Sequence, residues 1–203
     1  MNKRFGIVID QERCIGCEAC SVACRLENNS VEFLIRVETQ GGLEKDTPKG
    51  IFPNLTLNFL PKLCNHCLNP PCVEVCPVDA LQKRDDGPVV LDQSLCNICK
   101  ACAQACPYDV IFFNEKEDNA EKCNLCIHRI DEGLEPFCVI CCEGQALHFG
   151  DLNVPTSNVS QLLSTKGVFQ LKPKRELILL SIIVLLSKEE DYKKRLIEKN
   201  QNK

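Results

Sequence analysis

Cys14-Ile15-Gly16-Cys17-Glu18-Ala19-Cys20-Ser21-Val22-Ala23-Cys24 reads C-x2-C-x2-C-x3-C. Cys96, Cys99, Cys102 and Cys106 repeat that spacing. Cys64, Cys67, Cys72 and Cys76 widen the second gap to x4, and Cys123, Cys126, Cys138 and Cys142 widen it to x11. Sixteen of the seventeen cysteines fall into these four tetrads. Three thiols at i, i+3 and i+6 wrap one loop around one iron–sulfur cube. The fourth is expected to start a helix that points away and ligates a neighbouring cube. Sixteen thiolates at four per cube predict four [4Fe–4S] clusters, and so a chain that moves electrons.

The chain has 203 residues, enough for one domain or two fused small ones. Hydrophobic residues make up 44% with cysteine included, aromatics 5%, and Trp is absent, so the apolar core is thin. Ligand bonds made only in the folded state supply folding energy instead, and without iron and sulfide the chain is expected not to fold. A net charge of −4 gives no case for nucleic acid or an anionic membrane surface. Cluster charge must be offset by backbone N–H groups and by nearby Lys or Arg. Disulfides and structural zinc are the rival uses of so much cysteine. The chain opens Met1-Asn2-Lys3-Arg4-Phe5 and runs straight into Ile7-Val8-Ile9, with no apolar export segment, which reads as cytoplasmic. Disulfide frameworks do not crowd three thiols into one turn, and zinc sites show isolated C-x2-C pairs.

The tetrads sit in an internal repeat. Ile7-Val8-Ile9-Asp10 precedes Cys14 by the offset at which Val89-Val90-Leu91-Asp92 precedes Cys96, each a short strand and an acidic turn. Cys76-Pro77-Val78-Asp79-Ala80-Leu81 parallels Cys106-Pro107-Tyr108-Asp109-Val110-Ile111, with Cys142-Glu143-Gly144-Gln145-Ala146-Leu147 a weaker copy. The proline ends the short helix before it. Asp85-Asp86-Gly87-Pro88 supplies a hairpin turn. The fold is therefore read as α+β, with two bacterial-ferredoxin-like two-cluster modules. The inner module (64–113) is inserted between the halves of the outer one, 1–27 plus 114–152. Cluster sharing then joins the first tetrad to the fourth and the second to the third. Residues 28–63 connect them, with strands expected at Phe33–Val37 and Leu55–Leu60 that serve as cover for a cluster.

With its x4 and x11 gaps, the chain resembles the iron–sulfur subunits of dimethyl-sulfoxide-reductase-type molybdenum or tungsten enzymes. Those include subunits of polysulfide, thiosulfate, dimethyl sulfoxide, arsenate and nitrate reductases. The resemblance runs from residue 5 to about 173. It is carried also by Leu63-Cys64-Asn65-His66-Cys67 with Pro70-Pro71-Cys72, by Cys123-Asn124-Leu125-Cys126-Ile127-His128-Arg129 and by Gly150-Asp151-Leu152-Asn153. It implies that Cys14, Cys17, Cys20 and Cys142 hold one cube, and Cys24, Cys123, Cys126 and Cys138 the second. Cys64, Cys67, Cys72 and Cys106 would hold the third, and Cys76, Cys96, Cys99 and Cys102 the fourth. Cys99 stands where the nitrate reductase branch has an aromatic and a three-iron cluster, so all four are expected to be cubanes. The resemblance further implies a molybdopterin-containing catalytic subunit at one end and a quinone-linked membrane anchor subunit at the other. Such proteins lie peripheral to the cytoplasmic membrane, on its cytoplasmic side or exported with a signal-bearing partner.

Two departures stand out. Cys142 is followed by Glu143 where the family has proline, and Cys141 precedes it, read as a spare thiol over a competitor. The segment 153–203 is read as a tail. From about residue 174 it departs from the extended family ending, and the codons of Lys174–Ile182 read one base out of step can spell Glu-Gly-Thr-Asn-Pro-Ser-Ile-Tyr-Tyr. A frameshifted tail is therefore expected there, and no function is assigned to it. Its apolar run is shorter than the ~20 residues a membrane helix needs.

His66 and His128 lie in or beside cluster loops and are read as structural hydrogen-bonding residues rather than ligands. His148 is given no partner. Lys100, Lys122 and Arg129 adjoin tetrads, either neutralising cluster charge or solvated at the surface. No catalytic constellation or small-molecule substrate site is read. The expectation is a non-catalytic electron-transfer subunit. A free-standing polyferredoxin and a zinc-stabilised binding module are the alternatives.

Overall fold

Phe5–Asp10 forms the first strand, β1, because both its faces find apolar cover. Ile7 and Ile9 are fully buried in the main core, and Val8 is fully buried on the opposite face against Val159. In this computed structural model, residues 3–40, 44–114, 118–165, 168–169 and 182–185 are described. β1 pairs antiparallel with β10 (Leu147–Asp151), from Phe5 opposite Asp151 to Ile9 opposite Leu147, and the rings of Phe5 and Phe149 stack at 5.3 Å. Its other edge takes β12 (Ile182–Leu185) in parallel, with β11 (Val168–Phe169) beyond. Apart from the backbone of β12, the tail from residue 174 lies outside the described residues.

The short helices recur in one register. α1 (Ala19–Glu27), α2 (Pro71–Glu74), α3 (Ala101–Ala105) and α5 (Phe137–Ile140) each carry the third cysteine of a tetrad as their second residue. The fourth cysteine, four residues on, lies about one helical turn later. The expectation that the fourth cysteine starts a helix is thus corrected: the third sits in the first turn and the fourth at or near the end. Pro77 and Pro107 stop α2 and α3 before them. No proline follows Cys24, and α1 runs on to Glu27.

Between the helices, β6 (Leu81–Lys83) and β7 (Val89–Leu91) make a hairpin, and β8 (Ile111–Asn114) pairs with β9 (Asn119–Lys122). Gly87 at the hairpin tip has φ +119°, and a Cβ there would lie 2.9 Å from the Phe5 carbonyl oxygen. Only glycine suits that position. The tip docks on β1, with the Phe5 N–H donating to the Asp86 carbonyl at 2.8 Å. On β9 the Glu121 carboxylate accepts the Ser30 hydroxyl and the N–H groups of Val31 and Glu32, tying the loop after α1 to the strand.

In the connecting region β2 (Arg36–Gln40) pairs with β5 (Asn58–Lys62), each beginning three residues later than expected. Leu34 and Ile35 precede the strand and plug the core instead. β3 (Lys49–Ile51) and β4 (Asn54–Thr56) form a separate hairpin whose Ile51 and Phe52 are 85% and 83% exposed. α4 (Ile127–Ile130) follows Cys126. α6 (Asn158–Thr165) was not foreseen in the tail. The Ser157 hydroxyl accepts the Ser160 N–H at its start, and Val159, Leu162 and Leu163 pack on Val8 and Leu152. Cys20, Cys24, Cys64, Cys67, Cys123 and Cys138 sit in the main core with Ile7, Ile9, Leu34 and Leu125, so thiols occupy the middle of the molecule. Among the described residues no helix is long and apolar enough to cross a membrane.

Candidate metal centres

Each tetrad's loop reverses two residues after its first cysteine. Gly16, His66, Ile98 and Leu125 all have positive φ there, between 43° and 73°. Left-handed backbone costs a side-chain-bearing residue about 1–2 kcal/mol. Its return is a concave run of N–H groups of the kind that cradles anions. A second reversal comes three residues after a fourth cysteine, at Asp79, Asp109 and Gln145, with φ of 53°, 54° and 49°. There backbone N–H groups turn on the sulfur. Val78, Leu81 and Ala80 donate to Cys76, Val110, Tyr108 and Asp109 to Cys106, and Ala146 to Cys142 at 3.2 Å. Cys24 has no such turn because α1 continues. Its neighbour Asn28 lies with Nδ2 3.7 Å from Cys24 Sγ and 3.8 Å from Cys126 Sγ.

The fold gathers thiols that are far apart in sequence. Cys14, Cys17, Cys20 and Cys142 line one cavity, covered by Val37 and Pro61 from β2 and β5. Cys64, Cys67, Cys72 and Cys106 line a second, and Cys76, Cys96, Cys99 and Cys102 a third. Their empty volumes, mouths included, are alike at about 310, 330 and 290 Å³. Cys24, Cys123, Cys126 and Cys138 are a fourth group whose thiols act on one another in the core. Gly144 lets the first group close: a Cβ there would lie 2.3 Å from the Arg13 carbonyl, and Arg13 donates to the Gly144 carbonyl and to Gln145 Oε1. Cys141 is not among the residues lining that cavity.

The groups follow one another as a series of neighbours. Cys24 and Cys138 feel Cys20, Cys123 feels Cys64, and Cys72 feels Cys102. Cys17 and Cys99, at the two ends, are the exposed thiols. Burial and then the neighbouring thiols push Cys20, Cys24 and Cys67 up to about 12. Burial and Cys64 do the same to Cys72. Burial holds Cys123 and Cys138 well above the ordinary thiol range. Cys76 goes the other way. Burial would raise it, but the three backbone donors outweigh burial and lower it.

A [4Fe–4S] cluster fits these surroundings. Among the described residues no three His, Cys, Asp or Glu side chains converge to hold a single metal ion. The thiols ring a space instead, with N–H donors turned on several sulfurs. Tyr108 lines the second cavity, and its hydroxyl is buried with no hydrogen-bond partner among the described residues, as a donor to a cluster sulfur would be.

The remaining candidates separate by burial. His66 is fully buried, and its Nδ1 accepts the Val89 N–H at 2.9 Å. Burial, then Lys122 and Lys83, hold it well below the usual imidazole range and keep it neutral. His128 Nε2 and Arg129 Nη1 meet Glu27 Oε1 at 2.9 and 3.1 Å, joining α4 to α1. His148 is on β10 opposite Val8. Lys100 is exposed, its ammonium 5.7 Å from the Phe113 ring centroid, whereas Lys122 is buried. Asn28, Lys83 and Tyr108 were missed. Only the position of Tyr108 directly after Cys106-Pro107 could have flagged any of them.

These are the features of a ferredoxin-type [4Fe–4S] protein. The 4Fe-4S dicluster domain pattern matches residues 55–152, and a second such pattern matches residues 13–80. A candidate iron-sulfur subunit of dimethyl sulfoxide reductase from Halobacterium salinarum is 42% identical over 82% of this chain and 73% of its own length. A subunit of the tetrathionate reductase of Salmonella typhimurium is 43% identical over 79% of this chain, which spans 63% of that protein. A component of the polysulfide reductase of Wolinella succinogenes is 37% identical over 87% of this chain and 91% of its own. The protein belongs to the iron–sulfur electron-transfer subunits of dimethyl-sulfoxide-reductase-type molybdopterin oxidoreductases.

Proposed function

We propose that this chain is a four-cluster relay between a molybdopterin catalytic subunit and a membrane quinone-linked or other redox partner. Cys14/17/20/142, Cys24/123/126/138, Cys64/67/72/106 and Cys76/96/99/102 each hold one [4Fe–4S] cluster. The observation that carries the reading is the succession of four thiol groups, each acting on the next, with exposed thiols only in the first and the last. Residues 64–113 are an inner module set between the halves of an outer one, 1–27 with 114–152, a reading supported by the pairing of β1 with β10. The protein docks peripherally at the cytoplasmic membrane through its partners.

Each cluster, when bound, supplies a one-electron couple. The chain's own residues set the conditions. Backbone donors after Cys76, Cys106 and Cys142 stabilise negative sulfur, and Ile7, Ile9, Leu34 and Leu125 keep water from the core. The test is oxygen-free purification from the native host, with iron and acid-labile sulfide analysis and identification of co-purifying subunits. About sixteen irons per chain are expected, with a large pterin-containing partner. Zinc in place of iron, or a full iron complement on a chain that purifies alone, would sink the relay role.

A further inference from the structure

We propose that the Lys122 ammonium is an electrostatic joint between two redox centres, the counter-charge shared by the clusters of Cys24/123/126/138 and Cys64/67/72/106. The proposal rests on the reading that both groups hold clusters. Lys122 ends β9, and the residue is 6% exposed. Its Nζ donates to the carbonyls of Cys123 and Val89, and the Cys123 contact is 2.8 Å. Cys123 belongs to one thiol group, and Val89 lines the cavity of the other. No carboxylate among the described residues pairs with the ammonium. Glu121, beside it on the strand, is committed to Ser30, Val31 and Glu32.

A buried ammonium held only by carbonyls lacks a neutralising partner, and buried charges are paired. Thiolate-ligated clusters on both sides would supply the missing negative charge. A fixed positive charge favours the reduced, more negative state of each centre, so Lys122 raises both potentials together. Because both shift in the same direction, the step between the two centres is largely preserved while both accept an electron more readily. Lys83 is the internal comparison. Its Nζ donates to the carbonyls of His66 and Gly87, and its charge acts on Cys64 and Cys67, in one group only.

The experiment is an EPR-monitored redox titration of the full chain, purified in its native complex without oxygen, with iron counted on every sample. In Lys122→Met, two of the four centres should show a reduced-to-oxidised ratio about tenfold lower at fixed potential, a shift of about 59 mV for a one-electron couple. Lys122→Arg should restore both, and Lys83→Met should move one. Lys122→Gln, whose amide still donates to the carbonyls, replaces the Met variant if that one does not accumulate. Full iron with unmoved potentials, with one centre moved, or with all four moved alike, overturns the joint alone. Wild-type protein without iron overturns the cluster reading beneath it.

Discussion

Arg84 grips Asp131 with a fork, Nη1 to Oδ2 at 2.9 Å and Nη2 to Oδ1 at 2.6 Å, while Nε and Nη2 hold Asp86. The pair ties the β6–β7 hairpin to the turn after α4. Bidentate geometry makes it more than an ordinary surface contact. Hydrogen bonds from Arg84 hold the Asp131 carboxyl below its usual range. Its stabilising effect is therefore complete at neutral pH and is lost as pH falls through that depressed value. Arg84→Met should lower the thermal midpoint of the iron-loaded protein, and the deficit should narrow in high salt. A deficit independent of salt would point to lost packing instead.

Tyr108→Phe removes a buried hydroxyl that no group among the described residues satisfies. The fold should tolerate it, with iron content unchanged. Losing one donor to a cluster sulfur should lower the potential of a single centre, by about 1 kcal/mol in its redox free energy. Potentiometric titration checks this, and four unchanged midpoints would refute it.

Gly144→Ala pushes a Cβ to 2.3 Å from a backbone oxygen, where no flexible side chain can give way. The loop carrying Cys142 must then retreat from Cys14, Cys17 and Cys20. Iron per chain should fall from about sixteen to about twelve, with one cluster signal lost. A full complement would show that the backbone can shift without cost to the site.

Cys141→Ser should keep about sixteen irons and Cys142→Ser about twelve. The basis is that Cys142 lines the cavity with Cys14, Cys17 and Cys20, and Cys141 does not. The reverse result would exchange their roles.

Before iron binds, Cys20, Cys24, Cys67 and Cys72 keep their protons below about pH 12, chiefly because burial opposes the thiolate. Binding requires the thiolate, so loading releases protons across the neutral range and is favoured as pH rises. Iron retained after desalting should be lower at about pH 6 than at about pH 8. Equal retention at both pH values would contradict the linkage.

The local patterns in the sequence were the legible part. Ile7-Val8-Ile9 and Val89-Val90-Leu91 announced strands, and Asp85-Asp86-Gly87-Pro88 a hairpin turn, because alternation and turn chemistry are written in adjacent residues. The α+β class followed. Cysteine spacing marked the thiols that the fold gathers around its cavities but misplaced the helices, because i, i+4 spacing does not say which cysteine sits in the first turn. Ile98 and Leu125 gave no sign of left-handed backbone, since neither residue type favours it. α6 was overlooked although Ser157 caps it and Val159, Leu162 and Leu163 mark its apolar face. The burial of Lys122 and the placing of Asn28 between two sulfurs depend on contacts about ninety residues or more apart or on strand pairing, which one linear pattern does not hold.

The third cysteine of each tetrad sits in the first turn of a short helix and the fourth about one turn later, inside α1 and at or just past the end of α2, α3 and α5, yet the two face different thiol groups. Tilting one such helix would deform two pockets in opposite senses. A change that tilts such a helix is therefore expected to disturb two neighbouring thiol groups at once, whereas one confined to a single cysteine or its loop disturbs one.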